Sequence, residues 1–375
     1  MNILIAGDFC PQARVKQLCE EGKCTEILGN AREVVKDADF SIVNFECPVT
    51  CGGEQPIEKK GPNLQCSEKG VEAIKWTDFD CCTLANNHLL DFGERGVINT
   101  LEACKKLGIE TVGGGKNLEE ASQVLFKSIN GNTLAVINCC EHEFSIATDN
   151  TAGANPLNPV KQYYAIKEAR TKSDYVLVIT HGGHEHWQLP SIRMQETYRF
   201  FIDAGADAVV NHHQHCFSGY EIYKGKPIFY GLGNFCFDNP HITSGIWNEG
   251  FMVQLQFDNS IDFHIYPYIQ CDKEPCVQLL EPSSYESRIK ELNRIIADPE
   301  LLQKYQNDFY RENERNYMQL FEPHDNRLIN ALRRRGLIPS LISKKRKNMA
   351  LDFIQCESHR DRLIYHLLHY NNKQL

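Results

Sequence analysis

The sequence has no run of about 18 apolar residues, so it predicts no helix that spans a membrane. It opens on the short apolar run Asn2-Ile3-Leu4-Ile5-Ala6 without a preceding basic segment, which argues against a secretory signal. A basic charge balance is also missing, because the formal net charge is −9, and this argues against a general nucleic-acid binder. The apolar content of 42% and the charged content of 24% indicate an ordinary globular protein with a sizeable core.

Although the chain has 16 cysteines, it contains no C-x-x-C pair, which argues against a zinc ribbon or a dithiol redox motif. Many cysteines lie in apolar, strand-like runs, as in the adjacent pairs Cys81-Cys82 and Cys139-Cys140. Adjacent residues on a strand point to opposite faces, so these pairs cannot easily serve one site. The sequence therefore predicts reduced thiols that act as small core residues, which is typical of a cytoplasmic protein.

In five places an apolar, strand-like run leads into side chains of the kinds that bind metals. Met1–Ala6 leads into Gly7-Asp8, Phe40–Val43 into Asn44-Phe45-Glu46, Cys81–Ala85 into Asn86-Asn87-His88 and then Asp91, Tyr175–Thr180 into His181-Gly182-Gly183-His184-Glu185, and Ala206–Val210 into Asn211-His212-His213-Gln214-His215. Open α/β sheets place their ligand sites at the carboxyl ends of the strands. Imidazole nitrogens mixed with hard oxygens suit Zn, Mn or Fe better than Ca. The sequence therefore predicts a metal centre.

The order of the predicted elements indicates an α/β fold with largely parallel strands. Strand-like and helix-like segments alternate up to about residue 210, and Val97–Leu107 has a helical pattern that ends at Gly108 as a C-cap would. Consecutive strands and hairpins follow from Tyr220, and a polar, helix-rich stretch follows from about Ser284. We expect one domain over 1–278 and a helical C-terminal extension over 279–375. Basic clusters in that extension form a solvated helix surface, or bind an acidic polymer, a membrane surface or a partner.

Taken together, these segments resemble the CapA family of capsule and poly-γ-glutamate synthesis proteins, within the calcineurin-like metallophosphoesterase superfamily. The resemblance spans roughly residues 1–240 and is carried by Gly7-Asp8, Asn44-x-Glu46-x-Pro48, Ala85-Asn86-Asn87-His88-x-x-Asp91-x-Gly93-x-x-Gly96, His181-Gly182-Gly183-x-Glu185, Gly205-Ala206-Asp207, His212-His213-x-His215 and Tyr230-x-Leu232-Gly233-Asn234-Phe235. It implies a four-layer α/β/β/α sandwich with a two-metal centre at the strand ends.

The resemblance also implies roles for individual residues. The metal ligands that it implies are the carboxylates Asp8 and Glu46 (the bridging one), the carboxamide Asn87 and the imidazoles His181, His213 and His215. His88 resembles the histidine that protonates the leaving group, and Asp91 is close enough in sequence to orient its ring. Four more residues are candidates for substrate contact, with plain structural or surface positions as the alternative: His184, Glu185, Arg193 and Asn234.

The sequence departs from the wider superfamily at three positions, one of which is the glycine before His-x-His, here His212 or Asn211. The usual Asp-x-His of the first strand reads Asp8-Phe9-Cys10, and a cysteine in an apolar setting is more often inert than a ligand. The usual bridging aspartate is replaced by Glu46, which is longer by one methylene. The sequence therefore leaves open whether the centre holds two divalent ions or one.

The function expected from the resemblance is that of a metal-dependent hydrolase associated with capsule, surface polysaccharide or poly-γ-glutamate biosynthesis. A metal-bound hydroxide would attack a phosphomonoester or phosphodiester, and His88 would act as general acid. An amide or peptide hydrolase is one alternative. A non-catalytic, metal-stabilised assembly factor that binds polymer-synthesis proteins is the other.

Overall fold

The structure is a computed structural model that describes residues 1–258, 260–318, 326–339 and 341–369 of the 375-residue chain. The chain forms two compact units, Met1–Leu302 and Gln303–Leu375. The boundary at residue 278, between the predicted domain 1–278 and the predicted helical extension 279–375, stays a prediction. The strands are β1 Asn2–Cys10, β2 Phe40–Phe45, β3 Cys81–Thr83, β4 Glu110–Val112, β5 Gly114–Gly115, β6 Leu125–Ile129, β7 Asn132–Cys140, β8 Gly153–Ala154, β9 Tyr175–His181, β10 Ala208–His212, β11 Tyr220–Tyr223, β12 Lys226–Phe229, β13 Asn234–Phe237, β14 Glu249–Phe257, β15 Ile261–Gln270 and β16 Val277–Leu279.

Helices alternate with the strands as far as β10 and replace them after β16. They are α1 Ala13–Glu20, α2 Ala31–Lys36, α3 Glu68–Trp76, α4 Gly93–Leu107, α5 Leu118–Ala121, α6 Pro159–Lys172, α7 Ile192–Ala204, α8 Glu286–Ala297, α9 Pro299–Met318, α10 Arg327–Arg334, α11 Lys344–Gln355 and α12 Glu357–His369. Helix α4 ends as the sequence predicts, with Gly108 in the left-handed conformation at φ 68°. Within the described parts of the chain, no helix is both long and apolar enough to cross a membrane.

Two sheets form the centre of the first unit. The first has the order β16-β15-β14-β1-β2-β3-β4, with β13 also pairing with β1, and the second has the order β11-β12-β10-β9-β7-β6. The predicted parallel strands are confirmed: β1, β2, β3 and β4 run parallel out to one edge of the first sheet, and β7, β9, β10 and β12 run parallel in the middle of the second. The hairpin-like strands predicted after Tyr220 supply antiparallel margins such as β14 to β16 and β11.

Three buried apolar layers separate the sheets from each other and from the helices. The alternation along β1 shows this, because Ile3 and Ile5 face the core between the two sheets, whereas Leu4 and Ala6 face the core beneath the helices. Helices α1, α3 and α4 cover the first sheet, and α6 and α7 cover the second. The predicted four-layer α/β/β/α sandwich is confirmed.

Candidate metal centre

Strands from both sheets deliver the predicted ligands to one place. His181 is the last residue of β9, and His213 and His215 follow the end of β10 in the same sheet. Glu46 follows the last residue of β2 in the other sheet. Asp8 differs from the expectation, because it lies within β1 rather than after it. The register of β1 shifts beside Asp8 against two of the strands that it pairs with, β2 and β13, which re-aims this side chain.

A close backbone approach fixes the position of Asp8. The Asp8 amide donates a hydrogen bond to Gly233 O at 3.3 Å. A Cβ atom on Gly7 would lie only 1.9 Å from the same oxygen, so no other residue type fits there without a backbone shift. The sequence signals Gly7-Asp8 and Gly233-Asn234, which lie far apart in the chain, are therefore two halves of one contact.

The histidines after β10 have an unusual backbone. His213 has φ 94° and His215 has φ 54°, both in the left-handed region that non-glycine residues avoid at a cost of order 1–3 kcal/mol. The His213 amide donates to Asp8 Oδ2 at 3.4 Å, and His215 Nδ1 lies 2.8 Å from Asn234 Oδ1. Strained residues of this kind cluster at functional sites. Here the His213 ring lies in one ligand group with Glu46, and the His215 ring lies in another with Asp8 and Glu46.

Glu46, His181 and His213 form the first of two ligand groups. His181 Nε2 lies 3.5 Å from Glu46 Oε1, 3.1 Å from His213 Nδ1 and 3.0 Å from Asn87 Oδ1. Ligand atoms that share one ion in a tetrahedral arrangement, at about 2.1 Å from it, lie roughly 3.4 Å from each other. The three distances from His181 Nε2 therefore fit ligands of a common ion.

Asp8, Glu46 and His215 form the second group, so Glu46 belongs to both. Asp8 Oδ2 lies 3.5 Å from His215 Nδ1, and Glu46 Oε1 lies 3.9 Å from His215 Nε2. Within each group the candidate ligand atoms all lie within 4.8 Å of one another, and every member is buried. A carboxylate shared by two groups is the arrangement expected of a bridging ligand.

The surroundings of Glu46 test whether cations fit. Its side chain is 0% exposed, and neither carboxylate oxygen has a hydrogen-bond partner within the described residues. A buried carboxylate without donors is strongly unfavourable unless a cation pairs with it. The ligand set, which mixes imidazoles and carboxylates, is one that binds Zn, Mn or Fe. The residues present therefore fit two divalent ions.

The acid–base properties of the site follow from its burial. Burial and the nearby charge of Asp8 raise the pKa of Glu46 well above its ordinary value. Burial alone would raise the pKa of Asp8, but the hydrogen bond with His215 and the nearby histidine charges outweigh burial and lower this pKa. Burial also lowers the pKa values of His181 and His213. Divalent ions need deprotonated carboxylates and neutral imidazoles, so metal binding at this site is coupled to proton release.

The predicted proton donor, His88, lies in the loop between β3 and α4. This strand ends two residues earlier than predicted, because the Ala85 amide donates to Asn138 Oδ1 at 2.7 Å instead of extending the ladder. His88 is 6% exposed, and its Nδ1 lies 2.6 Å from Asp91 Oδ2. A proton on Nδ1 at this contact leaves Nε2 as the nitrogen that can exchange a proton with a ligand.

The four candidates for substrate contact occupy different environments. The structure brings Asn234 into the site, against His215. Arg193 pairs with Glu141 and keeps 64% of its side chain exposed. The His184 ring packs near Trp187, with 5.7 Å between the centroids, and Glu185 is exposed. None of these four belongs to the two ligand groups found among the described residues, and their contact with substrate stays a prediction.

Sequence reasoning missed two residues of the site and left the role of Cys10 open. Asn44 donates to Asp8 Oδ1 at 2.7 Å, and the signal for it was its place in the motif Asn44-x-Glu46. Lys59 forms an ion pair with Asp91, and no motif or periodicity marks it. Cys10 is fully buried in the core beneath the helices, where burial raises the pKa of its thiol, and it belongs to neither ligand group.

The chain is similar in sequence to known bacterial capsule synthesis proteins. The family model described as "Bacterial capsule synthesis protein PGA_cap" matches residues 2–239. Capsule biosynthesis protein CapA of Bacillus anthracis is 31% identical over 246 residues, which cover 64% of this chain and 60% of that protein. PGA biosynthesis protein CapA of Bacillus subtilis strain 168 is 32% identical over 241 residues, which cover 64% and 63%. The chain thus spans less than two thirds of the length of these relatives.

Among solved structures, a protein from Mycoplasma pneumoniae described as a novel phosphatase is similar with a TM-score of 0.47 and 15% sequence identity. The similarity covers 73% of this chain and 95% of that one.

Proposed function

The chain belongs to the PGA_cap family of bacterial capsule synthesis proteins, and on this premise we propose that it is a metal-dependent phosphoesterase that acts in capsule or poly-γ-glutamate synthesis. The observation that carries the proposal is the shared carboxylate. Glu46 joins two buried ligand groups, and Asn87, which lies against one of them, is followed in the chain by the candidate proton donor His88. A site built only for stability would not need a proton donor beside its ligands.

The residues divide the work of hydrolysis between them. Asp8, Glu46, Asn87, His181, His213 and His215 would hold two divalent ions. When bound, such ions supply Lewis-acid activation of water and of substrate oxygens. His88 donates a proton from Nε2 to the leaving oxygen, while Asp91 keeps Nδ1 protonated and the ring in place. The deep position of the ligands excludes bulk water from the reacting groups.

The proposed substrate is a phosphomonoester or phosphodiester, and the proposed partners are polymer-synthesis proteins. The names of the Bacillus relatives support a link to capsule and PGA synthesis. We place this work in the cytoplasm, because most of the cysteines are buried as small core residues, a use that is typical of reduced thiols.

Turnover of p-nitrophenyl phosphate and bis-p-nitrophenyl phosphate, with Mn or Zn added, tests the proposal. We expect His88→Ala to lower turnover by about 10²–10⁴-fold, the usual contribution of a general acid or base, while the metal content stays at the wild-type level. The matched control is His264→Ala, which removes an exposed histidine on β15. If neither ester is turned over faster by the wild type than by His88→Ala, the phosphoesterase proposal is wrong.

One observation favours the assembly factor as the second candidate. Cys10 lies in the apolar core, so within the described residues the group of Asp8, Glu46 and His215 contains three histidine or carboxylate ligands and no cysteine. In that case the metal centre stabilises the fold and another surface binds the partner. Full metal content and a metal-dependent rise in thermal stability, without turnover of either ester or of an amide, would favour this function.

A further inference from the structure

We propose that Lys59 is a positioning residue for His88, and that the segment 57–64 is a strap that closes around Asp91 to hold the proton donor in place. The inference rests on the proposed function and deepens it, because it names a residue that no strand or motif brings to the site. The strap contains no helix or strand. Its position is set by the contacts that it makes with Asp91.

The strap holds Asp91 at both of its polar ends. The Ile57 amide donates to the backbone oxygen of Asp91 at 2.9 Å, and the Leu64 amide donates to Asp91 Oδ2 at 2.6 Å. Asn63 Nδ2 donates to Ile57 O at 3.1 Å and so ties the two ends of the strap together. Asp91 thus orients His88 from one side while the strap fixes Asp91 from the other.

Lys59 is buried in a way that is rare for lysine. Its side chain is 1% exposed and forms an ion pair with Asp91, whose side chain is 0% exposed. The ammonium also lies 3.2 Å from His88 Nδ1 and 5.3 Å from the centre of the Phe144 ring. The flanking residues Glu58 and Lys60 are exposed, so burial is specific to this position. A buried ammonium is tolerated only when it is paired, which makes this placement a built contact.

The two oxygens of Asp91 have separate tasks. Oδ2 accepts from the Leu64 amide and lies against His88 Nδ1. Oδ1 has no hydrogen bond within the described residues and contacts Lys59 as an ion pair. Without Lys59, Oδ1 would be a buried carboxylate oxygen lacking any partner. Rotation of the carboxylate toward other donors would then turn the His88 ring away from the leaving group.

Esters with different leaving groups separate positioning from a merely structural role. Lys59→Met keeps the length of the side chain and removes its charge, Lys59→Arg keeps the charge, and Lys60→Met is the matched control. We expect Lys59→Met to lower kcat for phenyl phosphate by about 10–100-fold, the range typical of residues that orient a functional histidine. The loss should be smaller for p-nitrophenyl phosphate, whose leaving group needs less protonation. KM and metal content should be unchanged, and Lys59→Arg should recover part of the rate.

A double-mutant cycle tests whether Lys59 acts through His88. We expect Lys59→Met to have no further effect on kcat in a His88→Ala background, because the residue being positioned is gone. Equal losses for both esters, or the same loss in both backgrounds, would overturn the proposal. If Lys59→Met does not fold, Asn63→Ala loosens the strap without leaving a buried charge, and the same leaving-group comparison applies.

Hydrogen exchange gives a readout that does not depend on activity. In the zinc-loaded protein we expect Lys59→Met, and not Lys60→Met, to speed exchange of the Leu64 amide and of the proton on His88 Nδ1. If the wild type turns over no ester but these protons respond, the positioning contact stands and the phosphoesterase proposal fails. If turnover depends on His88 while Lys59→Met behaves like Lys60→Met, the phosphoesterase stands and the role of Lys59 is refuted.

Discussion

Replacing Glu46 by glutamine should stabilise the metal-free protein and remove most of its response to metal. Glu46 is buried, without hydrogen-bond partners within the described residues, and close to the charge of Asp8, so an ionised carboxylate there opposes folding when no cation is bound. Glutamine has nearly the same volume and no charge, and its amide can donate to the Asp8 carboxylate. We therefore expect Glu46→Gln to be more stable than the metal-free wild type even though it loses the metal site.

The ordinary pKa of Glu46 sets an upper limit on how much Glu46→Gln can raise the free energy of unfolding. At pH 7 the carboxyl, with an ordinary pKa of 4.5, can avoid the burial penalty by binding a proton, which costs about 3.4 kcal/mol at 1.36 kcal/mol per pH unit. A buried amide recovers only part of this, so we expect a gain of roughly 1–2 kcal/mol in the free energy of unfolding. For a unit of this size that corresponds to a rise in Tm of roughly 2–3 °C.

The sign of the pH dependence follows from the raised pKa of Glu46. A carboxyl with a raised pKa in the folded state opposes folding least below its unfolded pKa, and increasingly as the pH rises above it. At pH 5 the upper limit falls to about 0.7 kcal/mol by the same arithmetic. The advantage of Glu46→Gln in metal-free protein should therefore be small at pH 5 and large at pH 7.

Scanning calorimetry of chelator-treated protein, with and without added Mn or Zn, measures both effects. A metal at 100 times its Kd stabilises the wild type by about 2.7 kcal/mol. The variant should gain less than half of this, because both ligand groups contain Glu46. The control is Glu143→Gln, since Glu143 lies 3.9 Å from His213 Nε2 but keeps 38% of its side chain exposed. A lower metal-free Tm, an equal gain at both pH values, or an undiminished response to metal would refute the reasoning.

Three further predictions concern the same site. Burial lowers the pKa of His215, but the charge of Glu46 is among the effects that outweigh burial and raise this pKa to about 10. Metal binding at pH 7.5 should therefore release at least one proton. Titration calorimetry in two buffers of different ionisation heat measures the number of protons released, and a release of zero contradicts the prediction. Asn234→Ala should weaken metal binding by about 10–100-fold, checked by competition with a chelating dye, and an unchanged Kd would show that Asn234 does not orient its histidine. Gly7→Ala should destabilise by about 3 kcal/mol or more, because its Cβ meets Gly233 O at 1.9 Å, and a wild-type denaturation midpoint would exclude this clash.

The parts of the site that lie at strand ends could be predicted from the sequence. His181 and His213 follow apolar runs whose length and pattern are those of buried strands, and parallel strands bring their carboxyl ends to one edge. Asp8 was predicted on the same grounds, yet its position depends on a register shift within β1. Such a shift results from the approach of Gly233, which is distant in sequence, so the local pattern does not contain it.

The strap could not be predicted, because its path is decided by long-range contacts. Lys59 lies 29 residues from His88 in sequence, in a segment without periodicity, and a lysine in such a segment is normally solvated. The same holds for the pairing of β14 with β1, which joins Asn2 to Gln256 and connects the parallel part of the first sheet to its antiparallel part. Local patterns indicated that these strands exist, whereas their neighbours depend on the packing of the whole domain.

Glu46, as the carboxylate common to both ligand groups, prevents the two positions from filling independently. A first cation bound there would displace the proton of the shared carboxyl and would leave a positive charge beside the other position. Each ion would therefore change the dissociation constant of its neighbour, and one glutamate would determine what fraction of molecules holds a single ion at a given metal supply.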